Sequence, residues 1–216
     1  MTHVHIMLDL ETMGTSPNAA IVAIGAVAFD PLHERVGDRF ACQVDLASAV
    51  DTGGVIDAST VYWWLQQSDA ARAALRGALV VPLRDALHQF AEWLQRQLAT
   101  AAHPCVEELR VWGNGADFDC VILACSYRRC GMSVPWGPFG ARCYRTLKSL
   151  VPEIKLVRVG THHNALIDAV QQADAVIKSQ KLLESWKFPA ASSAKGRSPA
   201  VMSTMTAGEI EKEMAI

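Results

Sequence analysis

Apolar positions recur along this chain in two rhythms. Three early segments read as strands: His5–Leu10, Ala20–Phe29 and Arg39–Val44. The second is a near-continuous run of Ala, Val, Ile and Gly, the composition of a strand covered on both faces. Pro17-Asn18 and Asp30-Pro31 supply turn residues between them, so the chain opens as a meander. The period then lengthens. Asp57 or Ser59 can cap a helix running through Tyr62–Gln67, and Ser68 can cap the next, ending near Gly77. Leu83, Leu87, Phe90, Leu94 and Leu98 fall near a 3.6-residue spacing and predict a helix over Val81–Leu98. Leu109–Gly113 reads as a strand, and Asp117–Arg129 as a helix stopped by Gly131. Pro135–Pro138 is a loop, and Cys143–Leu150 suits a short strand or a short helix. Leu166, Ala169, Val170, Ala173, Val176 and Ile177 form the apolar stripe of a helix reaching about Leu183. After Trp186 the composition turns to Ala, Ser, Pro, Gly, Lys and Arg, as in a flexible linker. Thr206 with Glu209 fits a capping box for a short last helix. This pattern predicts one domain over residues 1–186 and a tail over 187–216, with no internal repeat.

Chemistry enters at the end of the first strand. Asp9 and Glu11 lie two residues apart there, so their side chains share a face while Leu10 points into the core. Two like charges side by side need a counter-charge. A divalent cation with a taste for hard oxygen ligands, Mg²⁺ or Mn²⁺, supplies one. Taken alone, such a pair on a half-exposed strand is usually just solvated. Two later segments change that. Val111-Trp112-Gly113-Asn114-Gly115-Ala116-Asp117-Phe118-Asp119 runs from a strand end through a glycine turn into a helix. Gly160-Thr161-His162-His163-Asn164-Ala165-Leu166-Ile167-Asp168 is a polar turn opening a long helix, with Asn164 placed to cap it.

Together these segments resemble the three motifs of the DEDD superfamily of 3′–5′ exonucleases, in its histidine branch, whose third motif reads His-x-Ala-x-x-Asp. His163, Ala165 and Asp168 fit that pattern; His162 does not, because Asn164 and Ile167 stand where Ala and Asp are wanted. Asp9-Leu10-Glu11-Thr12-Met13-Gly14, Trp63-Trp64-Leu65-Gln66-Gln67-Ser68 and Arg142-Cys143-Tyr144-Arg145-Thr146-Leu147 are similar to the phage and prophage group called DexA-like or exonuclease VIII-like. The resemblance covers roughly residues 5–183. It implies an α/β, ribonuclease H-like fold, with a central mixed five-stranded sheet flanked by helices. It further implies two Mg²⁺ or Mn²⁺ ions on Asp9, Glu11, Asp119 and Asp168, with His163 as general base. Asp119 is preferred to Asp117 because the family's acid directly follows a Phe, as Phe118-Asp119 does. Asp168 is a harder case: it lies nearly opposite the apolar stripe of its helix, on a face of small residues, Ala165 and Ala175, with Gln172. Periodicity alone would leave it solvated. Thr12, Met13, Trp63, Trp64 and Arg145 are the implied substrate contacts, with a Trp stacking on a terminal base.

Composition narrows the setting. The chain has 216 residues, half of them hydrophobic, enough for one sizeable core. No apolar run is long enough to span a membrane, and the start carries no signal-peptide pattern. The six cysteines show no metal-binding or redox spacing and read as free thiols of a reducing cytoplasm. A net charge of −2 excludes a globally basic nucleic-acid binder, although Arg110, Arg128, Arg129, Arg142, Arg145, Lys148, Lys155 and Arg158 bias the later half. The expected activity is 3′–5′ hydrolysis of single-stranded nucleic acid with a free 3′ end, DNA favoured, releasing 5′-mononucleotides. A homodimer is compatible with this. An exoribonuclease acting on short RNA is the alternative enzyme, and a non-hydrolytic nucleic-acid-binding accessory the alternative class.

Overall fold

The computed structural model describes residues 3–75, 79–100, 109–160 and 162–187. The expected tail and its capping box at Thr206 lie outside the described residues. Strands β1 (Val4–Thr12), β2 (Ile21–Asp30) and β3 (Arg35–Val44) form the antiparallel meander. β3 starts four residues earlier than expected. Its first half is exposed and polar, so it carries no apolar signal, but it continues the ladder opposite Phe29 and Asp30. Helices α1 (Leu46–Asp51), α2 (Ala58–Leu65) and α3 (Asp69–Ala74) follow, then β4 (Val80–Val81) and α4 (Leu83–Thr100). Next come β5 (Leu109–Gly113), α5 (Asp119–Arg129), β6 (Ala141–Cys143), α6 (Tyr144–Leu150) and α7 (Ala165–Lys187).

The strands order as β4-β3-β2-β1-β5-β6, with β5 parallel to β1 and β6 parallel to β5. This is the expected mixed five-stranded sheet, widened at one edge by the two-residue β4, which pairs parallel with β3. Period-two alternation along β1 divides the core. Ile6, Leu8 and Leu10 join the larger cluster, with Leu87, Phe90, Trp93 and Leu94 of α4 and Leu123 and Tyr127 of α5. Met7 turns to the other face and packs with Val27, Trp112, Tyr144 and the α7 residues Ala169, Ala173 and Val176. β2 lies between both layers and is buried over nearly its whole length, as its apolar run requires.

Local chemistry explains the departures from the sequence pattern. α1 had no periodic signal in its six residues. It is nucleated by Asp45, whose carboxylate accepts from the backbone N–H groups of Ala47 and Ser48. Asp57 does precede α2, but its carboxylate accepts instead from Thr15 N–H at 3.0 Å. Ser68 caps α3 as its position suggests, accepting from Ala71 N–H at 3.2 Å. α5 begins at Asp119, not at Asp117. Gly115 C=O accepts from both Phe118 and Asp119 N–H, which holds the preceding residues in a turn. The ambiguous segment is both elements in succession, a strand to Cys143 and a helix from Tyr144. Among the described residues no helix is long and apolar enough to cross a membrane.

Candidate active site

The face of β1 that carries Met7 continues to Asp9 and Glu11, just where α7 begins. Asp9 sits directly opposite Gly25 of β2. A Cβ on Gly25 would stand 2.1 Å from the Ala165 carbonyl carbon and 2.3 Å from Leu166 N, both backbone atoms that cannot step aside. The bare glycine therefore lets the first turn of α7 rest on the β2 backbone. Asp168, in that turn, is thereby brought to the two β1 acids and is only 8% exposed. One carboxylate oxygen from each of Asp9, Glu11 and Asp168 lies within 4.8 Å of the others.

Asp119 reaches the same cleft from the first turn of α5. The β1–β5 ladder ends at Met7 and Trp112, which leaves the Leu10 N–H to donate to Asp119 Oδ1 at 3.1 Å. Gly113 makes room for it, since a Cβ there would lie 2.9 Å from Asp119 Oδ2. Asp119 thus stands beside the three-acid group. Asp117 is exposed and does not line the cleft.

The four acids crowd the cleft with little positive charge between them, Arg158 pairing with Asp168. Burial, followed by the charges of Asp119 and Glu11, holds the Asp9 carboxyl well above the usual range. Burial, then Asp168 and Asp119, pushes Glu11 up to about 8. Burial pushes Asp119 up to about 7, against backbone N–H donors that favour its ionised form. Glu11 Oε1 is buried with no hydrogen-bond partner. The nearby polar groups are few. Gln172 Nε2 donates to Asp9 Oδ1 at 2.8 Å, His163 N–H to Asp168 Oδ2 at 3.1 Å, and Arg158 Nη1 lies 3.7 Å from Asp168 Oδ1. A hard divalent cation suits this donor set. It would satisfy the orphaned oxygen and offset the mutual repulsion of the clustered carboxylates.

His163 precedes α7 in the left-handed region, at φ 61°. Asn164 caps the helix as expected, its Oδ1 accepting from Ile167 N–H at 3.1 Å. The His163 ring stands edge-on to Trp63, with centroids 4.8 Å apart, and to Trp64 at 6.0 Å. Burial lowers its pKa, helped by Arg158 and His162 and opposed by Asp168. His162 is exposed and turns towards Arg158.

The cleft has a volume of about 540 Å³. Trp63 is 40% exposed on its wall, whereas Trp64 is buried and donates its Nε1–H to Thr12 C=O at 3.0 Å. Thr12 lines the cleft, its hydroxyl donating to Gly14 C=O at 2.7 Å. Arg145 is exposed at the rim, anchored through its backbone N–H to Asn114 C=O. Met13 departs from the expectation. Its side chain packs against the larger core and does not line the cleft. A register shift between Glu11 and Thr12 explains this, because it interrupts the β1 alternation that would have put Met13 on the face of Asp9 and Glu11. Arg158 and Gln172, which touch the acids, were not expected among the site residues. Arg158 gave no signal beyond its charge. Gln172 lies four residues after Asp168, a spacing that shares a helix face.

The mixed sheet flanked by helices, with an acidic cleft at the end of β1, is of the ribonuclease H-like class of folds. Residues 4–180 match the family model of the Rv2179c-like 3′–5′ exoribonuclease domain. The chain belongs to this family. No curated protein matches the sequence significantly. Solved structures share the fold at low identity. Exonuclease I, from a structure described as suggesting how processivity is achieved, superposes with TM-score 0.58 at 16% identity over 87% of this chain and 43% of its own. The nuclease domain of 3′hExo, a DEDDh family member bound to rAMP, gives 0.54 at 13% identity over 83% and 92%. A zinc-bound E. coli exonuclease I–single-stranded DNA complex gives 0.50 at 18% identity over 85% and 41%. The chain spans less than half the length of exonuclease I.

Proposed function

We propose that this protein removes nucleotides one at a time from the free 3′ end of single-stranded nucleic acid, releasing 5′-mononucleotides. The family description favours RNA over the DNA expected from the sequence. The observation that carries the reading is the crowded, buried acid cluster with the orphaned Glu11 oxygen, set beside His163. Asp9, Glu11 and Asp168, with Asp119 beside them, would hold two divalent cations, Mg²⁺ or Mn²⁺. Such ions, when bound, neutralise the scissile phosphate, activate the attacking water and stabilise the leaving 3′ oxygen. The chain's own groups do the rest. An imidazole nitrogen of His163 takes the proton of the attacking water. The water oxygen bonds to phosphorus as the bond to the 3′ oxygen of the shortened strand breaks. Trp63 offers an exposed ring for stacking the terminal base, and Arg145 a guanidinium for a backbone phosphate. Trp64 acts from behind, holding the Thr12 backbone in place.

The test uses 5′-labelled single-stranded RNA and DNA of one sequence, with Mg²⁺, Mn²⁺ or EDTA. A ladder of shortening products that needs a cation, slows with a 3′-phosphate and is faster on RNA is the expected result. Faster cutting of DNA would return the substrate to the sequence expectation. Cleavage of circular strands, or immediate release of the labelled 5′ nucleotide, would overturn the reading.

A further inference from the structure

Gln172 follows Asp168 by one helical turn, so both side chains occupy the face of α7 turned to the cleft. Its neighbours on that face, Ala165 and Ala175, are small and buried. Gln172 is itself 4% exposed, a burial that a glutamine rarely tolerates without partners on both ends of its amide. One end is satisfied, because Nε2 donates to Asp9 Oδ1 at 2.8 Å. The other is not: Oε1 is buried with no partner. Turning the amide over would not help. It would set the amide oxygen against the Asp9 carboxylate, acceptor against acceptor, whenever Asp9 is ionised. The orphaned oxygen therefore calls for a donor that arrives from the cleft. Among the described residues no donor of the protein meets that oxygen. Water held on a cation is a donor.

We propose that Gln172 is a positioning residue for cation binding. Its Nε2 fixes the orientation of the Asp9 carboxylate within the acid cluster, and its Oε1 accepts a hydrogen bond from a water of the hydrated ion. This rests on the reading that Asp9, Glu11 and Asp168 hold divalent cations. Groups that orient a ligand from outside the coordination sphere typically contribute ~10–100-fold to metal affinity. Mg²⁺ gives up its waters reluctantly and keeps several of them when bound. An acceptor for such a water matters more to Mg²⁺ than to the more readily dehydrated Mn²⁺.

The experiment measures cation binding by the full chain without substrate, by calorimetry for Mg²⁺ and by electron paramagnetic resonance for Mn²⁺. Gln172→Met keeps the length and helix preference of the side chain but loses both hydrogen bonds. Gln172→Asn keeps the polarity and falls one methylene short of Asp9. Both variants should bind Mn²⁺ on the order of 10-fold more weakly, with a larger loss for Mg²⁺. Their deficit in rate should shrink as the cation concentration is raised, a recovery that a merely structural role would not produce. Variants that bind both cations as tightly as the wild type overturn the role of Gln172 and leave the reading of the acids standing. A wild-type chain that binds neither cation overturns that reading, and this inference with it.

Discussion

His163 shows how much a single position can carry. It is held in the left-handed region, bonded through its backbone to Asp168 and flanked by two indoles. Its imidazole can accept a proton only when neutral. Burial lowers its pKa, so the acid limb of activity should lie below the ordinary value near ~6.5, and activity falls as pH drops through it. His163→Ala should lose ~10²–10⁴-fold in rate while still binding Mn²⁺. His162→Ala should be close to wild type, because that ring is exposed and directed at Arg158. Rate–pH profiles of both variants check this, and a crippled His162→Ala would reverse the assignment. The two acids near α5 give a parallel comparison. Asp119→Asn should nearly abolish cleavage and Asp117→Asn should not, since only Asp119 lines the cleft. The positions of the four acids and His163 were legible from short-range spacing plus a family pattern. Arg158 and Gln172 were not, because they meet the acids only through folding. Asp168 shows the limit most clearly. By periodicity its face belonged to solvent, yet it is buried, in a first turn that rests on the β2 backbone at Gly25.

At the scale of elements, long periodic segments were readable and short ones were not. α4 and β5 stand close to where their apolar spacing puts them, whereas the six-residue α1 and the two-residue β4 are too short for a period to develop. The sequence could place the start of α7 through its Asn164 cap, but not where that first turn comes to rest. Its seat depends on Gly25, which read as one more small residue of a buried strand. Gly25→Ala forces a methyl group into the backbone of Ala165 and Leu166. The first turn of α7 must then lift away from β2, carrying Asp168 from Asp9 and Glu11. We expect a cost of about 1–3 kcal/mol in stability and a loss of cation affinity out of proportion to it. Thermal unfolding together with Mn²⁺ titration separates the two effects. A variant that keeps wild-type affinity and activity would show that the close approach does not set the site.

For the whole molecule, the acid cluster makes stability depend on pH and cation together. Glu11 rises from 4.5 to about 8 on folding, and Asp119 from 3.8 to about 7. The folded chain thus holds these protons more tightly than the unfolded chain does. Without a cation, the stabilisation linked to them is complete below the unfolded values. It is lost as pH rises through the folded ones, from roughly 4.5 to about 8 for Glu11. A divalent cation inverts this dependence. It competes with the same protons, so it binds best once they have left, and it stabilises only the folded state. In EDTA the thermal midpoint should fall between about pH 5 and about pH 8. Mn²⁺ should raise it more at the higher pH. Glu11→Gln removes one proton-linked group and one cation ligand, so it should flatten the EDTA profile and shrink the Mn²⁺ increment. Its midpoint in EDTA at about pH 8 should lie above that of the wild type, because a neutral amide replaces a buried, repelled carboxylate. The sign of that last difference is the sharpest check on the site. A Glu11→Gln chain less stable than the wild type in EDTA would mean that the Glu11 carboxylate helps hold the fold together, not that the fold strains to hold it for a cation.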